Sequence, residues 1–105
     1  MGLEIYWTVF ANKELKSIYK YYRNNAGKII SRNILSKITN SVTILKNFPE
    51  IGQVEPDLDD LVPKIRYLIT SNYKILYRVV SDKNRVEILD IFDTRQEPGK
   101  RFRSI

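Results

Sequence analysis

Residues 3 to 9 alternate, with Leu3, Ile5, Trp7 and Val9 on one side and Glu4, Tyr6 and Thr8 on the other. This period of two predicts a half-buried strand. The period then changes. Leu15, Ile18, Tyr19 and Tyr22 recur at i, i+3, i+4 and i+7, the apolar stripe of an amphipathic helix, with Lys13, Glu14, Lys16, Lys20 and Arg23 mostly off it. Asn12 is placed to cap that helix through its side-chain oxygen, and Asn24-Asn25-Ala26-Gly27 ends it. From about Lys28 to Lys46, Ile30, Ile34, Ile38, Val42 and Leu45 keep a helical spacing. This second helix would be roughly 28 Å long, closed by Pro49 and Gly52.

Residues 50 to 62 have no usable periodicity and read as an acidic, proline-containing loop. Residues 64 to 80, KIRYLITSNYKILYRVV, read as a hairpin, and Ser81-Asp82-Lys83-Asn84 as a turn into a last strand from about Arg85 to Asp93. Residues 96 to 105 read as a tail. The order β-α-α-β-β-β predicts one α+β domain over residues 1–105, a helical hairpin on one face of a small, mainly antiparallel sheet.

Alternation within the hairpin makes a sharper prediction. If only the helix-covered face is apolar, Ile65, Tyr67 and Ile69 join Tyr73, Ile75, Tyr77 and Val79 on that face. Ile69 then pairs with Tyr73 around a three-residue loop, Thr70-Ser71-Asn72. Lys64, Arg66, Lys74 and Arg78 gather on the open face, Arg66 roughly opposite Lys74. Beyond the turn, Val79 meets Val86, Tyr77 meets Ile88, and Arg78 faces Glu87. In this register Asp90 falls on the apolar side with no reason to be there.

Charge changes the picture next. The chain has 18 Lys and Arg against 12 Asp and Glu, a net charge of +6. Five of the acids lie between Glu50 and Asp60, so the remainder is more basic still. Such a surface suits an anionic partner: nucleic acid, a ribonucleoprotein or an acidic protein. Arg66 opposite Lys74 would cost a few tenths to ~1 kcal/mol. Either the two side chains splay apart in water, or an anion relieves them. The acidic segment 50 to 60 is itself one candidate to fold back over that face. There is no cysteine and no histidine. This excludes thiolate chemistry, a histidine base and the commonest metal ligand. No secretion signal and no run long enough to span a membrane is evident, and a cytoplasmic location is expected.

These elements resemble the RelE/ParE superfamily of toxins from type II toxin–antitoxin systems. The resemblance spans nearly the whole chain. It includes ANKELKSIYKYY, the long second helix ending in NFPEIG, the strands KIRYLIT and YKILYRVV, and above all ILDIFDTRQEP. It implies an acidic antitoxin as partner. It also implies one of two activities: inhibition of DNA gyrase in the ParE-like, plasmid-stabilisation branch, or ribosome-dependent, metal-independent cleavage of mRNA in the RelE-like branch. No cofactor is expected in either case.

By position, Lys64, Arg66, Lys74 and Arg95 fall where the RelE-like branch has catalytic cations. There they would hold RNA phosphates, favour loss of the 2′-hydroxyl proton and stabilise the developing charge. That branch also expects a tyrosine near the C-terminus. Here the stretch reads GKRFRSI, with Arg101 near that spacing and Phe102 lacking a hydroxyl. FDTRQEP and the PEIG turn look more ParE-like. The favoured expectation is therefore a toxin that acts by binding gyrase, with Arg78, Arg95, Lys100, Arg101 and Arg103 as contacts. A toxin fold kept only as a basic partner-binding domain is the third reading.

Overall fold

The computed structural model describes residues 2–95. The first strand, β1 (Glu4–Trp7), is shorter than its alternating pattern, because Thr8 rather than Asn12 caps the first helix, α1 (Val9–Asn25). The Thr8 hydroxyl accepts from the Ala11 N–H at 3.2 Å and donates to the Ile88 carbonyl at 2.8 Å. One side chain thus satisfies a free helix donor and ties the helix start to the sheet. Gly27, at φ +91°, then turns the chain into α2 (Lys28–Thr43), and a single tighter turn, Ile44–Lys46, completes the predicted run to Lys46.

The 50 to 62 segment is not wholly loop. Gln53–Val54 form a short strand, β2, on the edge of β3 (Ile65–Thr70). β4 (Tyr73–Val80) and β5 (Arg85–Asp93) follow. The sheet order is β1-β5-β4-β3-β2, with β1 parallel to β5 and every other pair antiparallel. A parallel pair needs a long crossover, and here everything from α1 to β4 lies between its two strands. Both helices cover one face. Ala11, Ile38, Val42 and Leu45 pack there against Tyr73, Ile75, Tyr77, Val86, Ile88 and Ile91.

The expected pairing of β4 with β5 is present: Val79 with Val86, Tyr77 with Ile88, Arg78 with Glu87. The expected pairing of β3 with β4 is not. Thr70 pairs with Tyr73 around a two-residue turn, Ser71-Asn72, with Ser71 at φ +56°. The strand is therefore one residue out of the predicted register, which turns every side chain of β3 over. Arg66, Leu68 and Thr70 lie on the helix side, Arg66 beside Tyr77. The Thr70 hydroxyl donates to the Ser41 hydroxyl on α2 at 2.7 Å. Ile65 and Tyr67 lie on the other face, packed with Leu76, Leu89, Leu58 and Phe92. The physical reason is that both faces hold an apolar cluster, so burying apolar residues does not by itself select a register. Asp90 is accounted for in the same way. An irregularity opposite Leu76 and Tyr77 shifts the phase of β5, so that Asp90 pairs with Leu76 and Ile91 with Ile75.

Candidate functional site

Three rows of side chains cross the open face. The first runs Tyr6, Glu87, Arg78, Ile65; the second Asp90, Leu76, Tyr67, Gln53; the third Phe92, Lys74, Ile69. The expected cation cluster is reduced to Lys74 and Arg78, four residues apart on β4 or ~13 Å along the strand.

Each of these two is already neutralised. Lys74 Nζ meets the buried carboxylate of Glu55 at 2.5 Å and stands 4.2 Å above the centre of the Tyr67 ring. Glu55 is held by the strand pairing of its own segment, its N–H donating to the Ile65 carbonyl at 2.8 Å. The acidic segment does fold back onto the basic face: the Glu55 carboxylate brings its charge there, and Leu58 packs on the same face. Arg78 donates to Glu87 at 2.8 Å, and Arg85 donates to the other oxygen of the same carboxylate at 2.6 and 2.9 Å. Arg85 also lies 4.0 Å above the Tyr6 ring. Burial works to raise the Glu87 carboxyl pKa. The hydrogen bonds from Arg85 and Arg78 and the charges of the two guanidiniums together outweigh it, and the carboxyl titrates below its ordinary value.

The other candidates lie elsewhere. Lys64 precedes β3 and donates to the Asp59 carbonyl within the acidic loop. Arg66 donates to the carbonyls of Gly52 at 2.9 Å and Glu50 at 3.3 Å, so it closes the end of the loop after α2. Arg95 follows β5 and holds both oxygens of Asp93, at 3.0 and 3.2 Å. Asp93 pairs with Tyr73 on the helix side, and the Tyr73 hydroxyl reaches Tyr22 of α1 at 3.4 Å. Burial, and then the contact with Tyr22, pushes the Tyr73 phenol well above its ordinary range. Lys64, Arg66, Lys74 and Arg95 are thus not brought together, and Arg66 and Lys74 are on opposite faces. Lys100, Arg101 and Arg103 lie outside the described residues.

Sequence reasoning missed Glu55, Tyr67 and the Tyr22–Tyr73–Asp93–Arg95 group. For Glu55 the only signal was charge complementarity between its segment and the hairpin. The tyrosine pair depends on α1 crossing the end of β4, which no local pattern reports.

A family description, ParE toxin of type II toxin–antitoxin system, parDE, matches residues 5–98. The chain belongs to the ParE toxin family. Among solved structures, it is similar to one of the chromosomal ParDE system from P. aeruginosa, with a TM-score of 0.71 and 22% identity over 89% of this chain and 97% of that one. The RelBE2 toxin–antitoxin complex from Mycobacterium tuberculosis gives 0.63 and 16%, over 89% and 99% of the two chains. A free arginine-to-alanine mutant of the E. coli toxin RelE gives 0.56 and 15%, over 90% and 86%. No curated protein matches the chain. At these identities the structures share the fold, a helical hairpin on one face of a mainly antiparallel sheet.

Proposed function

We propose that this ParE-family toxin acts by binding and blocking DNA gyrase, and that an acidic antitoxin neutralises it in the cytoplasm. The observation that carries this reading is the split of the cationic quartet. Cleavage of RNA needs groups that move protons at one place. Arginine is effectively always charged and serves poorly as acid or base, which leaves Lys64 and Lys74. Lys74 is held by a buried carboxylate and Lys64 by a loop carbonyl, with Arg66 on the far side of the sheet. A binding toxin needs no such convergence. Arg95, well exposed at the end of β5, and Arg78, whose side chain is partly in solvent, are the contact residues proposed here, together with Lys100, Arg101 and Arg103.

Two assays decide it. Supercoiling by purified gyrase should fall as the toxin is added, and recover when Arg95→Ala or a chain lacking residues 100–105 replaces it. Programmed ribosomes should show no mRNA cleavage. Cleavage by the wild-type chain with supercoiling unaffected would reverse the reading and establish the ribonuclease. No effect in either assay, with growth unharmed, would leave an inactive partner-binding domain.

A further inference from the structure

On the open sheet face Lys74 and Arg78 each have a carboxylate partner; among the described residues the cations of the two helices have none. Between Val9 and Lys46 the chain has eight cations and one acid, Glu14. All eight are exposed, and among the described residues none of them takes part in an ion pair, whereas Lys74, Arg78, Arg85 and Arg95 all do. Four are in strict helical register on α1: Lys13, Lys16, Lys20 and Arg23 follow one another at three, four and three residues. At ~100° per residue they share a stripe roughly 80° wide and about 15 Å long. That stripe points away from Ala11, Leu15, Ile18 and Tyr22, which face the core.

We infer that this stripe of α1 is a docking surface for the phosphate backbone of duplex DNA. Two features favour a phosphate backbone over an acidic polypeptide. The stripe is continuous and unneutralised, so each cation can release a counterion from the nucleic acid on contact. Between Lys13 and Asn24 it also contains no apolar side chain. Ser17 and Asn24 flank the stripe, both exposed, hydrogen-bonding groups of the kind that contact phosphates. An amphipathic acidic peptide would need a row of apolar anchors instead; the exposed apolar side chains of α1 are Val9 at its first position and Tyr21 off the stripe, while Leu15, Ile18 and Tyr22 pack against the core. The surface reads charge, not sequence. In a gyrase-blocking toxin it would engage the DNA that the enzyme holds.

The test uses the full chain and a fluorescent duplex of mixed sequence, without gyrase, so it fails or succeeds independently of the gyrase reading. Binding is followed by anisotropy between 50 and 200 mM salt. Neutralising all four (Lys13→Gln, Lys16→Gln, Lys20→Gln, Arg23→Gln) should weaken binding by at least about 100-fold at 100 mM salt and flatten the log–log salt slope by about 3.6. Glutamine keeps helix propensity close to that of the residues replaced, and circular dichroism confirms the fold. The control removes three exposed cations elsewhere: Lys37→Gln, Lys46→Gln and Lys83→Gln. It should cost only a few-fold. Equal loss in the control would show that net charge alone binds, and would overturn the inference. So would absence of binding at 50 mM salt, or displacement by poly-glutamate at lower charge concentration than by duplex, which would mark an acidic polypeptide as the occupant.

Discussion

The hydroxyl of Tyr77 ties the loop after α2 to the sheet. It donates to the Pro49 carbonyl at 2.8 Å and accepts from the Gly52 N–H at 2.9 Å. Gly52 is there because nothing larger fits: a Cβ would stand 2.5 Å from that hydroxyl and 2.6 Å from the Tyr67 carbonyl oxygen. Gly52→Ala should therefore lower stability by about 1–3 kcal/mol through overpacking. Tyr77→Phe should cost about 1–3 kcal/mol by leaving a buried N–H without an acceptor. Because Tyr77→Phe also removes the nearest of the three clashing atoms, leaving the Tyr67 carbonyl oxygen at 2.6 Å and a Tyr77 ring carbon at 2.7 Å, the double variant should lose less than the sum. Urea denaturation of the four proteins measures this, and strict additivity would show that the two residues do not meet as described. Arg66 belongs to the same closure. In the sequence it is one more hairpin cation; in the fold its guanidinium serves the Gly52 and Glu50 carbonyls.

β4 and β5 meet around one carboxylate that serves two guanidiniums, and its protonation should contribute to acid unfolding. Glu87 is buried, and the hydrogen bonds and charges of Arg85 and Arg78 together overcome its desolvation, so its folded carboxyl titrates below its ordinary value of 4.5. The unfolded chain then takes up the proton first as pH falls. The stabilisation is complete above the ordinary value and is lost as pH drops through the folded one. Glu87→Gln should lower stability at pH 7 by about 1.5–3 kcal/mol, the range for hydrogen bonds to charged groups. The gap to wild type should narrow as pH falls below about 4.5. Denaturant midpoints at pH 7, 5, 4 and 3 follow this directly, and a gap that stays constant with pH would refute it. Asp93 follows the same sign, its carboxyl lowered first of all by the hydrogen bond from Arg95. The pairing of Arg78 with Glu87 was legible in the sequence because a four-residue turn and two apolar pairs fixed it. The neighbouring hairpin was not legible, since Ser71 accepts a positive φ and so shortens the turn by one residue.

In the whole molecule, the parallel pairing of β1 with β5 joins the two ends of the described chain, Glu4 against Arg85 and Trp7 against Ile88. Trp7 is the only tryptophan and packs against the helix-side core, so its fluorescence reports that last, most distant pairing. If the chain is one cooperative domain, the Trp7 fluorescence and far-ultraviolet dichroism transitions in urea should coincide; separated midpoints would mean that β1 docks independently. The sequence alone determined the order of the six longer elements, both helices, the β4–β5 register from the turn as far as Tyr77 and Ile88, and the α+β layering, because each rests on local periodicity or on a turn of fixed length; β2 and the shift beyond Tyr77 were not in it. It also determined that histidine and thiol chemistry are absent, since composition is a property of the chain and not of its folding. Tertiary structure alone decided the face of β3, and with it the fate of the cationic quartet. That choice depended on a second apolar cluster, built by Leu58 from the loop, Leu76 and Phe92, and this cluster gave Ile65 and Tyr67 an equally good place to be buried. It likewise decided that Glu55 neutralises Lys74, while among the described residues the cations of the two helices, the stripe of α1 included, have no ion pair. Ion pairing between residues 19 apart in the chain depends on where β2 runs, and no local pattern carries that.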